Sequence, residues 1–205
     1  MNLFLLSNTD NLNNELSLIL SEEIGKRGSR IAYISSAKQT GERKYYLATM
    51  EDFKKINEAS AIDYFDLSED FSDLDLAKLK DYKIIYLSGG NTFTFLKDSK
   101  DRGLGKILKE LEPQCLLIGA SAGSIMMTEK IDICKICDSN TAELKDLSSF
   151  NFVPFEFHPH FKEQDLPWLR EYKNTTQNKI YLCKDSDGVQ YKDGKVITFG
   201  EIIRL

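Results

Sequence analysis

Gly119-Ala120-Ser121-Ala122-Gly123 is a G-x-S-x-G sequence set between the apolar run Leu116-Leu117-Ile118 and the helical start Ser124-Ile125-Met126-Met127. A strand, a turn of small residues and a helix N-terminus in that order are what a nucleophile elbow requires, because the sharp turn lifts the serine hydroxyl above the sheet. Ser121 is the candidate nucleophile, and the N–H of Ala122, the next residue, would face a developing oxyanion. The alternative is a small-residue turn used only for close packing or for binding an anion. A second small-residue turn, Ser88-Gly89-Gly90-Asn91-Thr92-Phe93, follows the apolar run from Tyr82 to Leu87. Its glycines allow the backbone to come close and to supply another N–H donor, and Asn91 and Thr92 are candidate side-chain donors to a substrate.

A serine becomes nucleophilic only beside a base, and the chain holds just two imidazoles, both in Phe155-Glu156-Phe157-His158-Pro159-His160-Phe161. If this stretch is extended throughout, alternation puts Phe155, Phe157 and Pro159 on one face and Glu156, His158 and His160 on the other, so both histidines would face one site. A carboxylate should orient the imidazole and stabilise its charged form. Between Ser121 and His160 the candidates are Glu129, Asp132, Asp138, Glu143, Asp146 and Glu156, and spacing does not choose among them.

The elements that must hold these groups alternate. Short apolar runs at Leu3 to Leu6, Arg30 to Ser35, Ile62 to Phe65, Tyr82 to Leu87 and Cys115 to Ile118 read as buried parallel strands. Leu12, Leu16, Ile19, Leu20 and Ile24, and again Leu104, Ile107, Leu108 and Leu111, recur at helical spacing, with Gly25, Gly28 and Pro113 as stops. Residues 42–59 make a further helix, whose charged residues should face solvent. This pattern predicts a doubly wound α/β fold, a mostly parallel sheet flanked by helices, with its site outside the carboxyl ends of the strands. Near the end, turns at Lys184-Asp185-Ser186-Asp187-Gly188 and Lys192-Asp193-Gly194-Lys195 flank Val189-Gln190-Tyr191 and Val196-Ile197-Thr198-Phe199, a β-meander expected at the sheet edge. With no linker or internal repeat, residues 1–205 read as one domain.

Composition sets the surroundings. Against 27 basic residues stand 32 acidic ones, with no basic tract, so nucleic acid is not an expected partner. No apolar run approaches the roughly 20 residues needed to cross a bilayer, and Met1-Asn2 followed by four apolar residues is a first strand rather than a secretory signal, so no membrane association and a cytoplasmic location are expected. Four cysteines are too few for a disulfide scaffold. Cys134-Lys135-Ile136-Cys137 has half-site spacing, but a second pair is lacking, so the pair reads as small hydrophobes near a strand and neither metal nor cofactor is expected.

Taken in order, Leu5-Leu6-Ser7-Asn8, Gly89-Gly90-Asn91-Thr92-Phe93, Gly119-Ala120-Ser121-Ala122-Gly123 and Pro159-His160-Phe161 resemble the peptidase E (aspartyl dipeptidase) family of serine peptidases, within the class I glutamine amidotransferase-like superfamily. The likeness spans nearly the whole chain. It implies Ser121 as nucleophile, His160 rather than His158 as base, Gly90 and Ala122 as oxyanion donors, and Asp138, in Cys137-Asp138-Ser139, as the acid. The activity implied is hydrolysis of short peptides, dipeptides among them, through an acyl-enzyme. The family's aspartyl dipeptidases carry an arginine-containing segment after the histidine; here Lys162-Glu163-Gln164-Asp165-Leu166-Pro167-Trp168 follows, and neither Lys162 nor Arg170 matches that position. An amidotransferase would place cysteine where Ser121 stands. The other readings are a small esterase, which shares G-x-S-x-G, and a ligand-binding member of the same fold with an unused elbow.

Overall fold

A computed structural model describes residues 2–36, 43–69, 71–111 and 114–205. Glu42, at the start of the helix expected over 42–59, and Pro113, an expected helix stop, lie outside the described residues.

The apolar runs of the sequence become β1 (Asn2–Leu6), β2 (Arg30–Ser35), β3 (Ala61–Asp66), β4 (Ile84–Leu87) and β5 (Leu116–Ala120). All five are parallel in the order β3-β2-β4-β5-β1. The crossovers carry α1 (Asn14–Gly25), α2 (Lys44–Ile56), α3 (Asp73–Lys78), α4 (Thr92–Asp101) and α5 (Leu104–Leu111). Alternation along the strands divides their side chains between two cores. Leu3, Leu5, Ile85, Leu87 and Leu117 pack with Phe93 and Leu96 of α4 and Leu104 and Leu108 of α5. Phe4, Leu6, Ile84, Tyr86 and Ile118 pack with Leu16, Leu20 and Ile24 of α1 and Phe53 of α2. Covering both faces is what makes parallel strands read as unbroken apolar runs. β3 departs from that expectation: as the edge strand it is only half-buried over most of its length.

The expected meander is present. After a short α6 (Ala122–Met126) and the segments described next, β8 (Gly188–Lys192) pairs antiparallel with β1 and β9 (Lys195–Phe199) antiparallel with β8, closing the far edge. A second sheet was not legible in the sequence. β6 (Phe155–His158) and β7 (Lys179–Leu182) run parallel, joined by α7 (Leu166–Lys173), and the two-residue β10 (Ile203–Arg204) pairs with β7. Its register, His158 opposite Leu182, decides which residues emerge together past the strand ends. Among the described residues no helix is long and apolar enough to cross a membrane.

Candidate active site

Ser121 occupies the turn between β5 and α6 with φ 51° and ψ −114°, a conformation that costs a non-glycine residue on the order of 1–3 kcal/mol. Three hydrogen bonds hold it there. Ser121 N–H donates to Leu6 O at 3.0 Å, Gly123 N–H to Ser88 O at 3.0 Å, and the buried Ser124 hydroxyl to Leu6 O at 2.8 Å. The two glycines are demanded by contact. A Cβ on Gly123 would lie 2.2 Å from Leu87 O, and one on Gly119 would lie 2.7 Å from the Gly123 backbone. Because Ala122 is the first helical residue, its N–H has no acceptor within α6.

His160 meets this serine from the second sheet. Its Nε2 is 3.0 Å from Ser121 Oγ, and its Nδ1 is 2.5 Å from Asp185 Oδ1. The tautomer that satisfies both contacts has Nδ1–H donating to the carboxylate and Nε2 accepting from the serine hydroxyl. The β6–β7 register explains the encounter: His160 lies two residues past His158 and Asp185 three past Leu182, so both emerge from the carboxyl ends of neighbouring parallel strands. Asp185 projects from a turn closed by Lys184 N–H to Asp187 Oδ2 at 3.1 Å and Asp187 N–H to Lys184 O at 2.9 Å.

Several expected placements need correction. Asp138 does not face the histidine; its Oδ2 accepts from Thr92 N–H at 2.9 Å and from the Thr92 hydroxyl at 2.6 Å, at the N-terminus of α4. Asn91 and Thr92, expected to contact substrate, are spent on structure. Asn91 caps α4 by accepting from Thr94 N–H at 3.0 Å and donates to Ser139 O at 3.0 Å, while Thr92 is buried on Asp138. The alternation expected along 155–161 fails because β6 stops at His158 and His160 takes φ 55°. His158 is therefore buried, with both ring nitrogens lacking a hydrogen-bond partner and Nε2 3.6 Å from Asp165. Burial pushes its pKa down against the pull of Asp165, in the direction that favours the neutral ring. Of the cysteine pair, Cys134 is buried and Cys137 exposed, around a 3-10 turn rather than a strand.

The order Ser, acid, His confines the expected acid to residues between Ser121 and His160, which leaves out Asp185, in a segment whose sequence reads as a turn. The usable signal was a polar turn carrying an acid directly after an apolar strand, Ile180-Tyr181-Leu182, late in the chain.

A cavity of about 370 Å³ opens on this group, lined by Ser121, His160, Gly89 and Gly90 together with Tyr33, Tyr86 and Thr49. Gly90 has φ 136°, open to glycine, and a Cβ on Gly89 would touch the Ser121 side chain at 3.4 Å, so this turn lies directly against the nucleophile.

Comparison with known proteins finds peptidases. The family model for peptidase family S51 matches residues 3–199. A protein of Listeria monocytogenes named as an uncharacterized peptidase is 28% identical over 207 residues, covering 96% of this chain and 97% of that protein. A peptidase E of Salmonella newport is 34% identical over 90 residues, 42% of this chain and 37% of that one. In three dimensions the fold matches a peptidase E-type protein from Listeria monocytogenes with TM-score 0.79 at 24% identity, over 97% of each chain. A peptidase from an acI-B1 actinobacterium matches with TM-score 0.67 at 16% identity, over 98% of this chain and 88% of that one.

Proposed function

The chain belongs to peptidase family S51 and is a serine peptidase, and from that premise we propose that it hydrolyses short peptides, dipeptides among them, through Ser121, His160 and Asp185. The observation that carries this reading is the contact of one imidazole with both partners, Nε2 at 3.0 Å from Ser121 Oγ and Nδ1 at 2.5 Å from Asp185 Oδ1.

Ser121 Oγ attacks the peptide carbonyl carbon while its proton passes to His160 Nε2. Asp185 stabilises the imidazolium so formed and keeps Nδ1 protonated throughout. The oxyanion receives hydrogen bonds from the N–H groups of Gly90 and Ala122, donors already fixed before the charge appears. Collapse of the tetrahedral intermediate breaks the C–N bond, and the His160 proton leaves with the amine. Water then gives a proton to His160, attacks the ester, and releases the acid as the proton returns to Ser121. We place this activity in the cytoplasm.

Hydrolysis of a dipeptide library by the native chain, and its loss in Ser121→Ala, is the expected outcome. Hydrolysis that survives Ser121→Ala overturns the assignment, and turnover of an ester panel without any peptide cleavage would make the chain an esterase.

A further inference from the structure

The cavity beside Ser121 has a chemical character of its own. Tyr33 and Tyr86 are among its lining residues, each 2% exposed, with ring centroids 5.2 Å apart and planes tilted by 35°. Thr9 and Thr49 line it as well, as does Tyr45, which is exposed. Among the described lining residues, His160 is the one side chain able to carry positive charge, and it is already engaged with Ser121 and Asp185.

The electrostatics behind the wall point the same way. Thr9 Oγ1 donates to the Asp52 carboxylate at 3.1 Å, and Asp52 is almost buried. The Lys55 ammonium, 3.2 Å from the other oxygen of Asp52, is itself largely exposed to water, which screens it. Burial pushes the Tyr33 phenol up to about 12, and burial together with Tyr33 and Asp52 raises that of Tyr86 further. A place that resists forming phenolate resists a bound carboxylate for the same reasons, low local polarity and negative charge nearby. A neutral aromatic side chain meets neither penalty, and the exposed Tyr45 ring, with the threonine hydroxyls of the wall, gives it groups to pack on.

We propose that this cavity receives the side chain of the residue whose carbonyl Ser121 attacks, and that it selects neutral aromatic side chains, Phe and Tyr, over Asp and Glu. This rests on the catalytic reading above and adds to it the class of substrate. It also separates this chain from hydrolysis directed at N-terminal aspartate.

Two measurements test it. The first compares kcat/KM for Phe-Leu and Asp-Leu, where a preference of at least about tenfold for Phe-Leu is expected, the scale on which an apolar pocket discriminates. The second measures binding of both dipeptides to Ser121→Ala by calorimetry, where Phe-Leu should again bind at least about tenfold more tightly. Tyr45→Arg, a change at an exposed lining residue that leaves the core intact, should narrow both ratios by adding a cation beside the cavity. Equal ratios, a preference for Asp-Leu, or no binding of either dipeptide overturns the proposal. If neither dipeptide is cleaved yet Phe-Leu binds Ser121→Ala more tightly, the pocket assignment stands and the peptidase reading falls.

Discussion

The hydroxyl of Ser7 stands 2.6 Å from the backbone nitrogen of His160, accepting its N–H, and the same group donates to Cys183 O at 3.3 Å. Ser7 N–H donates in turn to Asp187 O at 3.2 Å. One buried residue at the end of β1 thus ties down the histidine, held at φ 55°, and the turn that bears Asp185. Ser7→Ala should lower kcat about tenfold with KM within about threefold, because the loss falls on alignment rather than on substrate contact. Ser7→Thr should recover most of that rate. A role in packing alone predicts the reverse order, since Ala is the smaller residue, so steady-state kinetics on the two variants separates the cases.

The two acids divide cleanly by partner. Asp185→Asn removes the carboxylate on His160 Nδ1 and should cut kcat by about 10³ to 10⁴, the scale seen when an orienting acid becomes an amide. Asp138→Asn weakens its bonds to the first turn of α4 and should lower stability by about 1 kcal/mol while leaving kcat within a few-fold. Urea denaturation and kinetics on both variants decide it. A large kcat loss in Asp138→Asn with little in Asp185→Asn would return the acid to the polar turn after Cys137.

What the sequence revealed and what it hid follow from range of interaction. β1, β2, β4, β5, α1 and α5 were legible because burial on both faces, or at helical spacing, writes itself into consecutive residues, whereas the half-buried edge strand β3 was legible only from its short run of β-favouring residues. Ser121 was legible because the small residues its turn needs flank it directly in the chain: Gly119 answers to the Gly123 backbone, although Gly123 itself answers to the distant Leu87. Asp185 was not: its partner is 25 residues distant and reaches it only through the β6–β7 register. Asn91 and Thr92 misled because residues suited to cap a helix are also suited to bind a substrate, and only the position of Asp138 distinguishes the uses. The helix expected over 42–59, found at Lys44–Ile56, was expected to keep its charged residues in solvent, yet Asp52 turns inward to Thr9.

The elbow's geometry opposes stability to function at a single residue. With φ 51° and ψ −114°, Ser121 holds a conformation that glycine adopts freely, so Ser121→Gly removes the strain along with the nucleophile. It should abolish hydrolysis and raise stability by about 1 kcal/mol, after allowing for the greater freedom of glycine in the unfolded chain. Ser121→Ala abolishes hydrolysis without that gain, because its Cβ meets the same clash. Comparing the urea midpoints of the two inactive variants isolates the backbone term, and equal midpoints would show that the turn is unstrained.

Glu23 sets a pH limit at the opposite end of the sheet. Its buried carboxylate joins β1, α1 and β8, accepting from Asn2 Nδ2 at 2.8 Å, Arg27 Nη1 at 2.7 Å, Lys26 Nζ at 3.2 Å and Lys192 Nζ at 3.1 Å. Burial alone would raise its pKa, but the bonds to Arg27, Lys192 and Lys26 outweigh it and bring the value from 4.5 to about 2. A folded-state pKa below the unfolded one means the fold favours the ionised form, so this stabilisation is complete above about pH 4.5 and is lost as the pH falls toward 2. The displacement corresponds to on the order of 3 kcal/mol. Glu23→Gln should therefore be less stable than the native chain at pH 7 by an amount of that order, and the difference should shrink steadily between pH 4.5 and 2. Urea denaturation across that range checks it, and a difference that stays constant with pH would mean the loss in Glu23→Gln comes from packing rather than charge.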